Sequence, residues 1–331
     1  MKLLVIGGTQ FVGRAFVEEA ARRDEEVTVF HRGASEPAGF PDVEHVHGDR
    51  DGQLDRLQGR AWDAVLDTCA YFPRAVRELA RLEGSFDRYT LVSTIGVHPD
   101  DMPVGSNEQT ATYQPPFPDT EEVTGDTYGP LKAACEREAA RAFGGKCLIV
   151  RPGYIVGPHD PTDRFTFYVR RAAEGGEMLA PGPPDMPFQV LDVRDLASFM
   201  LDRMRAGDSG VYGVVGPDEP IAMRDVLETA RDAAGANTTL TWASEGFLHD
   251  LGDEVQTWFP MWEPELLGVH SYDAGKAIAA GLRHRPFHQT VADTLAWDTD
   301  RGRPGLRIGL NARKETQLLA AWHRAADRSG S

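Results

Sequence analysis

The sequence predicts an α/β fold built on a doubly wound parallel sheet. Through the first half of the chain, short apolar runs rich in β-branched residues alternate with longer segments whose apolar residues recur every three or four positions. This alternation is typical of parallel strands connected by helices on both faces of a sheet. The runs themselves, such as "LLVI" at residues 3–6, are almost continuously apolar, which indicates strands buried on both faces.

Six strands and three helices follow from this pattern. The predicted strands are "KLLVIGG", "EVTVFHR", "VEHVHGD", "DAVLDTC", "RYTLVST" and "KCLIVRP". The predicted helices between them are "FVGRAFVEEAARR", "PRAVRELARLEG" and "YGPLKAACEREAARAFGG". Each helical segment repeats its apolar residues with the period of one helix face.

The second half of the chain predicts a smaller, mainly helical C-terminal lobe. After residue 157 come a helix and a Gly/Pro-rich loop, and "FQVLDVRDLASFMLDRM" then returns to a strand and a helix. We expect residues 1–157 to form the sheet domain, with 188–215 returning to it. Residues 158–187 and 216–331 are expected to form the lobe, laid over the ends of the strands.

Composition narrows the function classes. The chain of 331 residues carries a formal net charge of −16 without a Lys/Arg-rich block, which disfavours nucleic acid and anionic membranes as partners. The sequence has no apolar run of transmembrane length and no signal-peptide pattern. Its cysteines, Cys69, Cys135 and Cys147, lack metal-ligand spacing, and we expect reduced, buried thiols in a cytoplasmic protein.

The turn after the first strand predicts a phosphate site. In "GGTQFVG", Gly7 and Gly13 flank the start of the first helix, where backbone N–H groups and the helix dipole attract phosphate. The dinucleotide fingerprint has a glycine where this chain has Gln10. We expect the Gln10 side chain to lie over the pyrophosphate as an extra donor. A plain strand-to-helix turn is the alternative.

The end of the second strand bears on the choice of cofactor. His31 and Arg32 stand where chains that bind NAD carry an acid for the ribose 2′-hydroxyl, and an arginine there suits the 2′-phosphate of NADP. We therefore favour NADP(H), with NAD(H) as the alternative. Arg32 as a simple cap of a surface turn is the other interpretation.

Tyr128 and Lys132 have the spacing of a general acid/base pair. They lie four residues apart and so share a face of the predicted helix. A tyrosine with an ordinary pKa of about 10 is a poor base, and a nearby ammonium favours its phenolate. Ser93 and Thr94 end the fifth strand, where hydroxyls face the ligand crevice of such sheets. Taken alone, the Tyr-x-x-x-Lys spacing also occurs by chance in helices.

The order and spacing of these motifs resemble the extended short-chain dehydrogenase/reductases, the NAD-dependent epimerase/dehydratase group, of which the chain looks like a divergent member. The matching pieces are "IGGTQFVG", "HGDRDG", "LVSTIGV", "YGPLK", "RPGYIVGP", "FQVLDVRDLA" and "TVADTLAW", which span nearly the whole chain. The resemblance implies a Rossmann-type dinucleotide-binding domain and a substrate-binding lobe with the boundaries given above.

The resemblance also implies roles for individual residues. Tyr128 would be the general acid/base, Lys132 would lower its pKa and bind the nicotinamide ribose, and Thr94 would be the catalytic hydroxyl. The residues implied in cofactor binding are Gly7, Thr9, Gln10, Phe11, Val12, Gly13, His31, Arg32, Asp49, Arg50, Thr68, Cys69, Ala70, Tyr128, Lys132, Pro152 and Ile155. The substrate candidates are Ser93, Tyr154, Arg164, Phe188 and Gln189.

Departures from the family pattern leave the substrate open. Thr94 is followed by Ile95-Gly96 and not by the Asp-Glu of nucleotide-sugar 4,6-dehydratases, which disfavours that reaction. Phe188-Gln189 stands where the sugar-nucleotide enzymes carry an Arg-Asp pair for the diphosphate, which disfavours such a substrate. Arg164 is a candidate replacement for the anion contact, or a charge on a helix surface.

The expected function is reversible hydride transfer at a secondary alcohol or ketone of a small molecule. Net oxidoreduction and epimerisation both fit, including a nucleotide-sugar epimerase, and a non-catalytic dinucleotide-binding or RNA-associated scaffold is the alternative of another class. Family members often dimerise, so a homodimer is one expected assembly. The acidic segment 98–126 is expected to form a loop over the site mouth, in contact with a neutral or cationic substrate or simply solvated.

We expect no metal site and neither nucleic acid nor a membrane as partner. The ten histidines are scattered along the chain. His45 and His47 lie two apart on a strand, without a carboxylate at ligand spacing, and are interpreted as strand or surface residues.

Overall fold

Thirteen strands are defined in the structure, a computed structural model that describes residues 1–34, 39–82, 84–217, 220–252 and 254–329. In chain order they are β1 Lys2–Ile6, β2 Glu26–His31, β3 Glu44–His47, β4 Trp62–Asp67, β5 Phe86–Val92, β6 Cys147–Pro152, β7 Tyr154–Val156, β8 Gly176–Pro181, β9 Pro187–Phe188, β10 Val190–Asp192, β11 Gly210–Val214, β12 Ile221–Ala222 and β13 Thr238–Ala243.

The helices alternate with the strands in the first half and dominate the last third of the chain. They are α1 Phe11–Arg22, α2 Pro73–Ala80, α3 Gly125–Phe143, α4 Arg164–Ala172, α5 Val193–Ala206, α6 Met223–Ala233, α7 Glu245–His249, α8 Val255–Trp258, α9 Gly275–Ala279, α10 Phe287–Asp300 and α11 Ala312–Ser329. No helix within the described ranges is both long enough and apolar enough to cross a membrane.

The central sheet has seven parallel strands in the order β11-β6-β5-β4-β1-β2-β3. This is a doubly wound order, which reverses between β1 and β4 and leaves a crevice at the carboxyl ends of those strands. All six predicted strands and all three predicted helices of the first half are confirmed, and so is the fold class. The sequence interpretation missed β11, whose "GVYGV" joins the edge beside β6.

Both faces of the sheet are covered by apolar side chains. On one face, α1 and α5 pack over Leu3, Val5 and Val29, and on the other, Leu4, Ile6 and residues of α2 and α3 form a second cluster. Because successive residues of a strand point to opposite faces, a continuous apolar run supplies both clusters. Burial on both faces fixes the strands and therefore fixes the loops at their carboxyl ends.

The chain divides into two compact units. Unit 1 comprises Met1–Ile155, Val190–Asp218 and Ser271–His284, and unit 2 comprises Val156–Gln189, Glu219–His270 and Arg285–Ser331. The expected boundaries are wrong for Ser271–His284, which we assigned to the lobe. This segment packs with unit 1 because α9 contacts β11 and Ala277 is buried in the core of the sheet.

Unit 2 is mainly helical around two short strand pairs. β8 and β13 pair in parallel, β9 and β12 pair antiparallel, and α4 packs against α6 and α10. Arg170 of α4 forms a buried ion pair with Asp298 of α10, which also accepts from Arg301 at 2.8 Å. The pair of Arg170 with Asp298 ties α10 to α4, the first helix of the unit.

Candidate active site

A cavity of about 400 Å³ lies at the carboxyl ends of the strands where the sheet order reverses. Ligands of open α/β sheets bind at this place. Eight of the predicted cofactor residues line the cavity, and these are Gly7, Thr9, Gln10, His31, Arg32, Asp49, Arg50 and Cys69. Unit 1 alone supplies the whole lining.

The glycine turn after β1 has the shape of a phosphate cradle. Gly7 has φ +84°, and a Cβ there would lie 2.8 Å from Thr68 Oγ1. A Cβ at Gly13 would lie 2.6 Å from the carbonyl oxygen of Gly7. Both positions therefore require glycine, one for its backbone conformation and both for the close approach of neighbouring atoms. Thr68 is not a direct cavity residue: its hydroxyl donates to the carbonyls of Ile6 and Gly7 and holds the turn.

The first turn of α1 directs its N–H groups away from the helix body. Its first intrahelical bond runs from Arg14 N to the Gln10 carbonyl over 3.1 Å, so the N–H groups of Phe11, Val12 and Gly13 precede that bond. Gln10 is the extended N-cap residue, with φ −129° and ψ 146°, and it lines the cavity. Free backbone donors at a helix N-terminus suit a pyrophosphate, and the cradle therefore fits the dinucleotide that the sequence predicts.

The residues after β2 and β3 line the opposite part of the cavity. Arg32 is exposed there, whereas His31 is buried and its Nδ1 accepts a hydrogen bond from Gly33 N at 3.2 Å. Asp49 Oδ1 accepts from Asp51 N at 3.0 Å and shapes the turn. An exposed guanidinium beside a cavity is available to an anion.

Arg50 has a role in the cavity wall that the sequence does not show. Its guanidinium makes two hydrogen bonds to Asp67, of 2.8 and 3.0 Å, and a third to the Ala75 carbonyl. Asp67 is fully buried at the end of β4 and also accepts from Tyr89 Oη at 3.1 Å. The charge of Arg50 is thus paired within the protein, and its side chain is held in place in the lining of the cavity. Its contact with the cofactor stays a prediction.

Tyr128 and Lys132 lie in the first half of α3, as predicted from their spacing. The helix begins with a capping box between Thr124 and Thr127, which places Tyr128 in the first turn. A Cβ on Gly129 would lie only 2.1 Å from the Gly96 carbonyl oxygen. The absence of a side chain at Gly129 therefore lets α3 rest directly on the turn that follows β5, where Thr94 lies.

Thr94 caps that turn. Its Oγ1 accepts from Gly96 N at 3.0 Å, so its hydroxyl hydrogen remains available for donation to another oxygen. Ser93 is a correction to the expected substrate contacts. It is buried and its Oγ donates to Glu136 Oε1 over 2.6 Å, in a network completed by Arg151.

The Lys132 ammonium is held by backbone carbonyls. Its Nζ donates to Ala70 O at 2.9 Å and to Val92 O at 2.7 Å, which leaves one of its three donors for another acceptor. Burial lowers the pKa of Lys132, against the effect of the neighbouring acids and thiols. Ala70 contributes to the site through this carbonyl, because its own side chain is buried.

Tyr71 and Asp67 are site residues that the sequence interpretation missed. The Tyr71 ring lines the cavity, 5.7 Å from Lys132 Nζ and 6.4 Å from the Tyr128 ring, centre to centre. Both residues belong to "LDTCAYF" around the end of β4. The position at a strand end was the available signal, and we applied it only to Thr68, Cys69 and Ala70.

The remaining predicted residues lie apart from the cavity lining. Pro152 ends β6, while Tyr154 and Ile155 lie in β7, where Ile155 packs on the core. Arg164 starts α4 in unit 2, and its Nε donates to Thr162 Oγ1 at 3.3 Å.

Phe188 and Gln189 are both buried in unit 2, against the expectation of substrate contact. The Phe188 ring stacks on His270 at 5.6 Å and meets Tyr168 edge-on. Gln189 N donates to His270 Nδ1 at 3.3 Å. Both residues are thereby part of the interior of this unit, because packing and backbone bonding, which the sequence does not show, decide which side chains face a ligand.

Segment 98–126 is anchored to the core of unit 1 along its first half. His98 is buried, and its Nδ1 lies 3.0 Å from the Ala111 carbonyl oxygen. Gly105 N donates to Ser271 O at 2.9 Å, and Gly213 N donates to Glu108 Oε1 at 2.6 Å. The interpretation as a merely solvated loop is therefore wrong for these residues.

The three cysteines are free, as expected. Cys135 and Cys147 are buried, and burial raises the pKa of each thiol to about 12. Cys69 is half-buried in the cavity wall, and burial raises the pKa of its thiol as well. None of the three is thus poised as a thiolate nucleophile.

Comparison with known proteins agrees with the geometry. The model of the NAD dependent epimerase/dehydratase family matches residues 3–215. A curated relative, the chloroplast stem-loop binding protein of 41 kDa b from Arabidopsis thaliana, is 25% identical over 221 residues, which are 61% of this chain and 54% of that protein. The chain therefore spans about half the length of that relative.

Solved structures share the fold at low identity. The UDP-N-acetylglucosamine 4-epimerase from Bacillus cereus matches with a TM-score of 0.64 at 19% identity, over 89% of this chain and 98% of its own. The UDP-glucuronic acid 4-epimerase from the same organism, in complex with NAD, matches with 0.65 at 13% identity, over 91% and 99%. Together with the cradle, the cavity and the family match over most of the chain, these findings identify the protein as a member of the NAD-dependent epimerase/dehydratase family, whose cofactor is a nicotinamide dinucleotide.

Proposed function

We propose that this protein catalyses reversible hydride transfer between a nicotinamide dinucleotide and a secondary alcohol or ketone. The observation that carries the proposal is the contact of α3 with the turn after β5. Gly129 permits this contact between the helix that carries Tyr128 and Lys132 and the turn that carries Thr94, which supports a joint role for these residues. The cradle of Gly7 and Gly13 supports dinucleotide binding in the adjoining cavity.

Each residue of the proposed catalytic set has a distinct task. The bound cofactor supplies or accepts the hydride. Tyr128 gives a proton to the substrate oxygen during reduction and takes it back during oxidation. Thr94, whose oxygen already accepts from Gly96 N, donates its hydroxyl hydrogen to the same substrate oxygen. Lys132, fixed by two carbonyls, supplies positive charge that favours the phenolate of Tyr128.

The test of this proposal is Tyr128→Phe. The variant keeps the ring and loses the proton donor, so we expect turnover to fall by roughly 10²- to 10⁴-fold while dinucleotide affinity changes little. Tyr212→Phe, in β11 and outside the cavity lining, is the matched control and should leave turnover unchanged. Activity that survives in Tyr128→Phe would show that another group moves the proton.

Both net oxidoreduction and epimerisation remain within the proposal. The solved structures of similar fold include UDP-sugar epimerases, which favours a sugar-like substrate, whereas buried Phe188 and Gln189 offer no charge for a diphosphate. A panel of free sugars, UDP-sugars and simple ketones distinguishes the reactions: epimerisation leaves the amount of reduced cofactor unchanged, and oxidoreduction changes it in proportion to product. We propose Arg164 as the candidate contact for an anionic group of the substrate.

We propose NADP(H) as the preferred cofactor, on the basis of exposed Arg32 in the cavity lining. Arg32→Ala would remove the ion pair between the guanidinium and the 2′-phosphate. We expect NADP⁺ binding to weaken by roughly 10- to 100-fold, because a hydrogen bond to a charged group contributes about 1.5–3 kcal/mol. NAD⁺ binding should change little. Arg60→Ala removes the same charge from a residue that pairs with Glu44 and should spare both affinities. An unchanged NADP⁺/NAD⁺ ratio in Arg32→Ala would refute the assignment.

A stem-loop RNA-binding scaffold is the second candidate, because the curated relative is named for stem-loop binding. The net charge of −16 opposes it, since RNA binding relies on cationic surface. Titration with a labelled RNA stem-loop at low and moderate salt tests it: salt-sensitive binding that Tyr128→Phe leaves intact would favour the scaffold.

Two further proposals concern the cellular location and the oligomeric state of the protein. Free thiols at Cys69, Cys135 and Cys147 are compatible with a reducing compartment, and we propose the cytoplasm. We propose a homodimer because family members often dimerise, and light scattering of the purified chain tests this proposal.

A further inference from the structure

Three histidines meet near the free edge of the seven-stranded sheet. β2 and β3 run in parallel with Val29 opposite His45 and His31 opposite His47, so the three imidazoles project from one face. The ring centres of His45 and His47 lie 5.0 and 4.8 Å from that of His31. One ring nitrogen of each residue lies within 4.8 Å of the other two.

From this arrangement we infer that His31, His45 and His47, here called the histidine triad, bind one divalent transition-metal ion of the Zn²⁺ type. Three neutral imidazoles suit zinc, nickel, cobalt and copper, and with water in the fourth position they complete a tetrahedral zinc site. His31 also lines the cavity proposed for the dinucleotide, but the proposed hydride transfer makes no use of a metal ion at the triad. Failure of metal binding would therefore leave that proposal untouched.

The hydrogen bond between two of the rings marks the position of the ion. His31 Nδ1 accepts from Gly33 N at 3.2 Å, so the proton of a neutral His31 is on Nε2 and is donated to His45 Nδ1, 2.8 Å away. A zinc ion in place of that proton needs His31 Nε2 and His45 Nδ1 about 3.3 Å apart, because two Zn–N bonds of about 2.0–2.1 Å meet at the tetrahedral angle. A ring movement of roughly 0.5 Å provides this separation.

The surroundings permit that exchange. When His31 Nε2 binds an ion, its ring proton moves to Nδ1, and Gly33 N must then release its contact. Gly33 has φ +75° and lies in a loop, where a glycine can reorient at little cost. Buried His31 supplies a fixed ligand, and exposed His47 leaves the ion a route from solvent.

A second group of ligand type provides an internal control. Glu245, His249 and Glu265 also bring one ligand atom each within 4.8 Å of one another, but all three are exposed. Exposed carboxylates have no need of an ion because water solvates them. We therefore expect tight binding at the histidine triad and none of comparable strength at this second group.

The experiment uses the untagged chain of residues 1–331 after treatment with EDTA. Equilibrium dialysis against Zn²⁺ should give one ion per chain, and Co²⁺ should give the visible absorption of a tetrahedral site that Zn²⁺ then abolishes. In the double variant His45→Ala/His47→Ala the affinity for Zn²⁺ should fall by roughly 100-fold. His249→Ala should bind Zn²⁺ as tightly as the parent protein. His47→Gln, a change at an exposed residue, should weaken binding without any effect on folding.

The outcomes separate clearly. Equal melting temperatures in EDTA for the parent protein and the variants would show that lost binding is not lost folding. Stoichiometric binding that disappears with the triad supports the site. Absence of binding in the parent protein, or binding that survives in His45→Ala/His47→Ala, would overturn it.

Discussion

At the scale of single residues, Gln10 shows how the phosphate turn tolerates a departure from the glycine fingerprint. The three positions at which a Cβ would meet close neighbours, Gly7, Gly8 and Gly13, keep their glycines. Gln10 is the N-cap of α1 with an extended backbone, a conformation that any residue adopts. The turn therefore keeps its shape, and the side chain of Gln10 is added to the cavity lining.

The Gln10 side chain is predicted to contribute to dinucleotide affinity. If its amide donates to the pyrophosphate, Gln10→Ala and Gln10→Gly should each weaken binding by roughly 10- to 100-fold, since a hydrogen bond to a charged group contributes about 1.5–3 kcal/mol. Fluorescence titration with NADPH measures the effect. Unchanged affinity in both variants would make the side chain a bystander, and tighter binding in Gln10→Gly alone would mean that it hinders the pyrophosphate.

Adjacent residues of one strand end take opposite roles. Ser93 is buried and donates to Glu136, whereas half-buried Thr94 accepts from Gly96 N and caps the next turn. The hydroxyl hydrogen of Ser93 is used within the protein, and that of Thr94 is left for donation. Thr94 is therefore the better candidate of the two for the proposed catalytic hydroxyl.

At the scale of elements, the contact between α3 and the turn after β5 is the feature on which the proposed catalytic set depends. A Cβ on Gly129 would lie 2.1 Å from the carbonyl oxygen of Gly96. That distance is far below contact range, so any side chain must push the helix and the turn apart.

Gly129→Ala is therefore predicted to impair both stability and activity. We expect a loss of about 1–3 kcal/mol in the free energy of unfolding, as for other overpacked sites, and a larger relative loss in kcat because Tyr128 moves away from Thr94. Denaturant melts and steady-state rates measure the two effects. Gly125→Ala in the same first turn is the control, since its Cβ meets no described atom within 4 Å. Equal stability and equal kcat in Gly129→Ala and Gly125→Ala would contradict the close contact between Gly129 and the turn after β5.

At the scale of the whole molecule, buried His270 is expected to make stability depend on pH. His270 lies fully buried in unit 2, and burial lowers its pKa to about 4. Its Nδ1 accepts from Gln189 N, a bond that protonation of the ring would destroy. A hydrogen bond with the Met261 backbone favours the charged ring but only partly offsets the cost of burial.

The sign of the effect follows from linkage. Between pH 6.5 and about 4 the unfolded state binds a proton at this histidine that the folded state excludes, so stability falls as the pH is lowered through that window. The full effect is about 3 kcal/mol, at about 1.36 kcal/mol per pKa unit. Urea melts across this range should show a flatter pH dependence in His270→Gln than in the parent protein. Parallel curves would exclude His270 as the cause.

Local patterns in the sequence were sufficient to predict the sheet, the phosphate turn and the Tyr128/Lys132 pair. Apolar periodicity, glycine spacing and a four-residue separation on a helix are all properties of contiguous chain, and they survive folding unchanged. The strand β11 and the place of Ser271–His284 were missed because short segments late in the chain carry weak patterns and are fixed by what they pack against.

Contacts between distant segments were decided only by the tertiary structure. The pairing of Arg50 with Asp67, the burial of Ser93 with Glu136, and the approach of His31 to His45 each join strands or helices separated along the chain. Such contacts depend on strand order and register, which a single sequence leaves open because many registers satisfy the same apolar pattern. The sequence by itself therefore determined the fold class and the candidate residues for the proposed chemistry. The tertiary structure decided which polar side chains line the cavity and which are paired with one another in the walls around it.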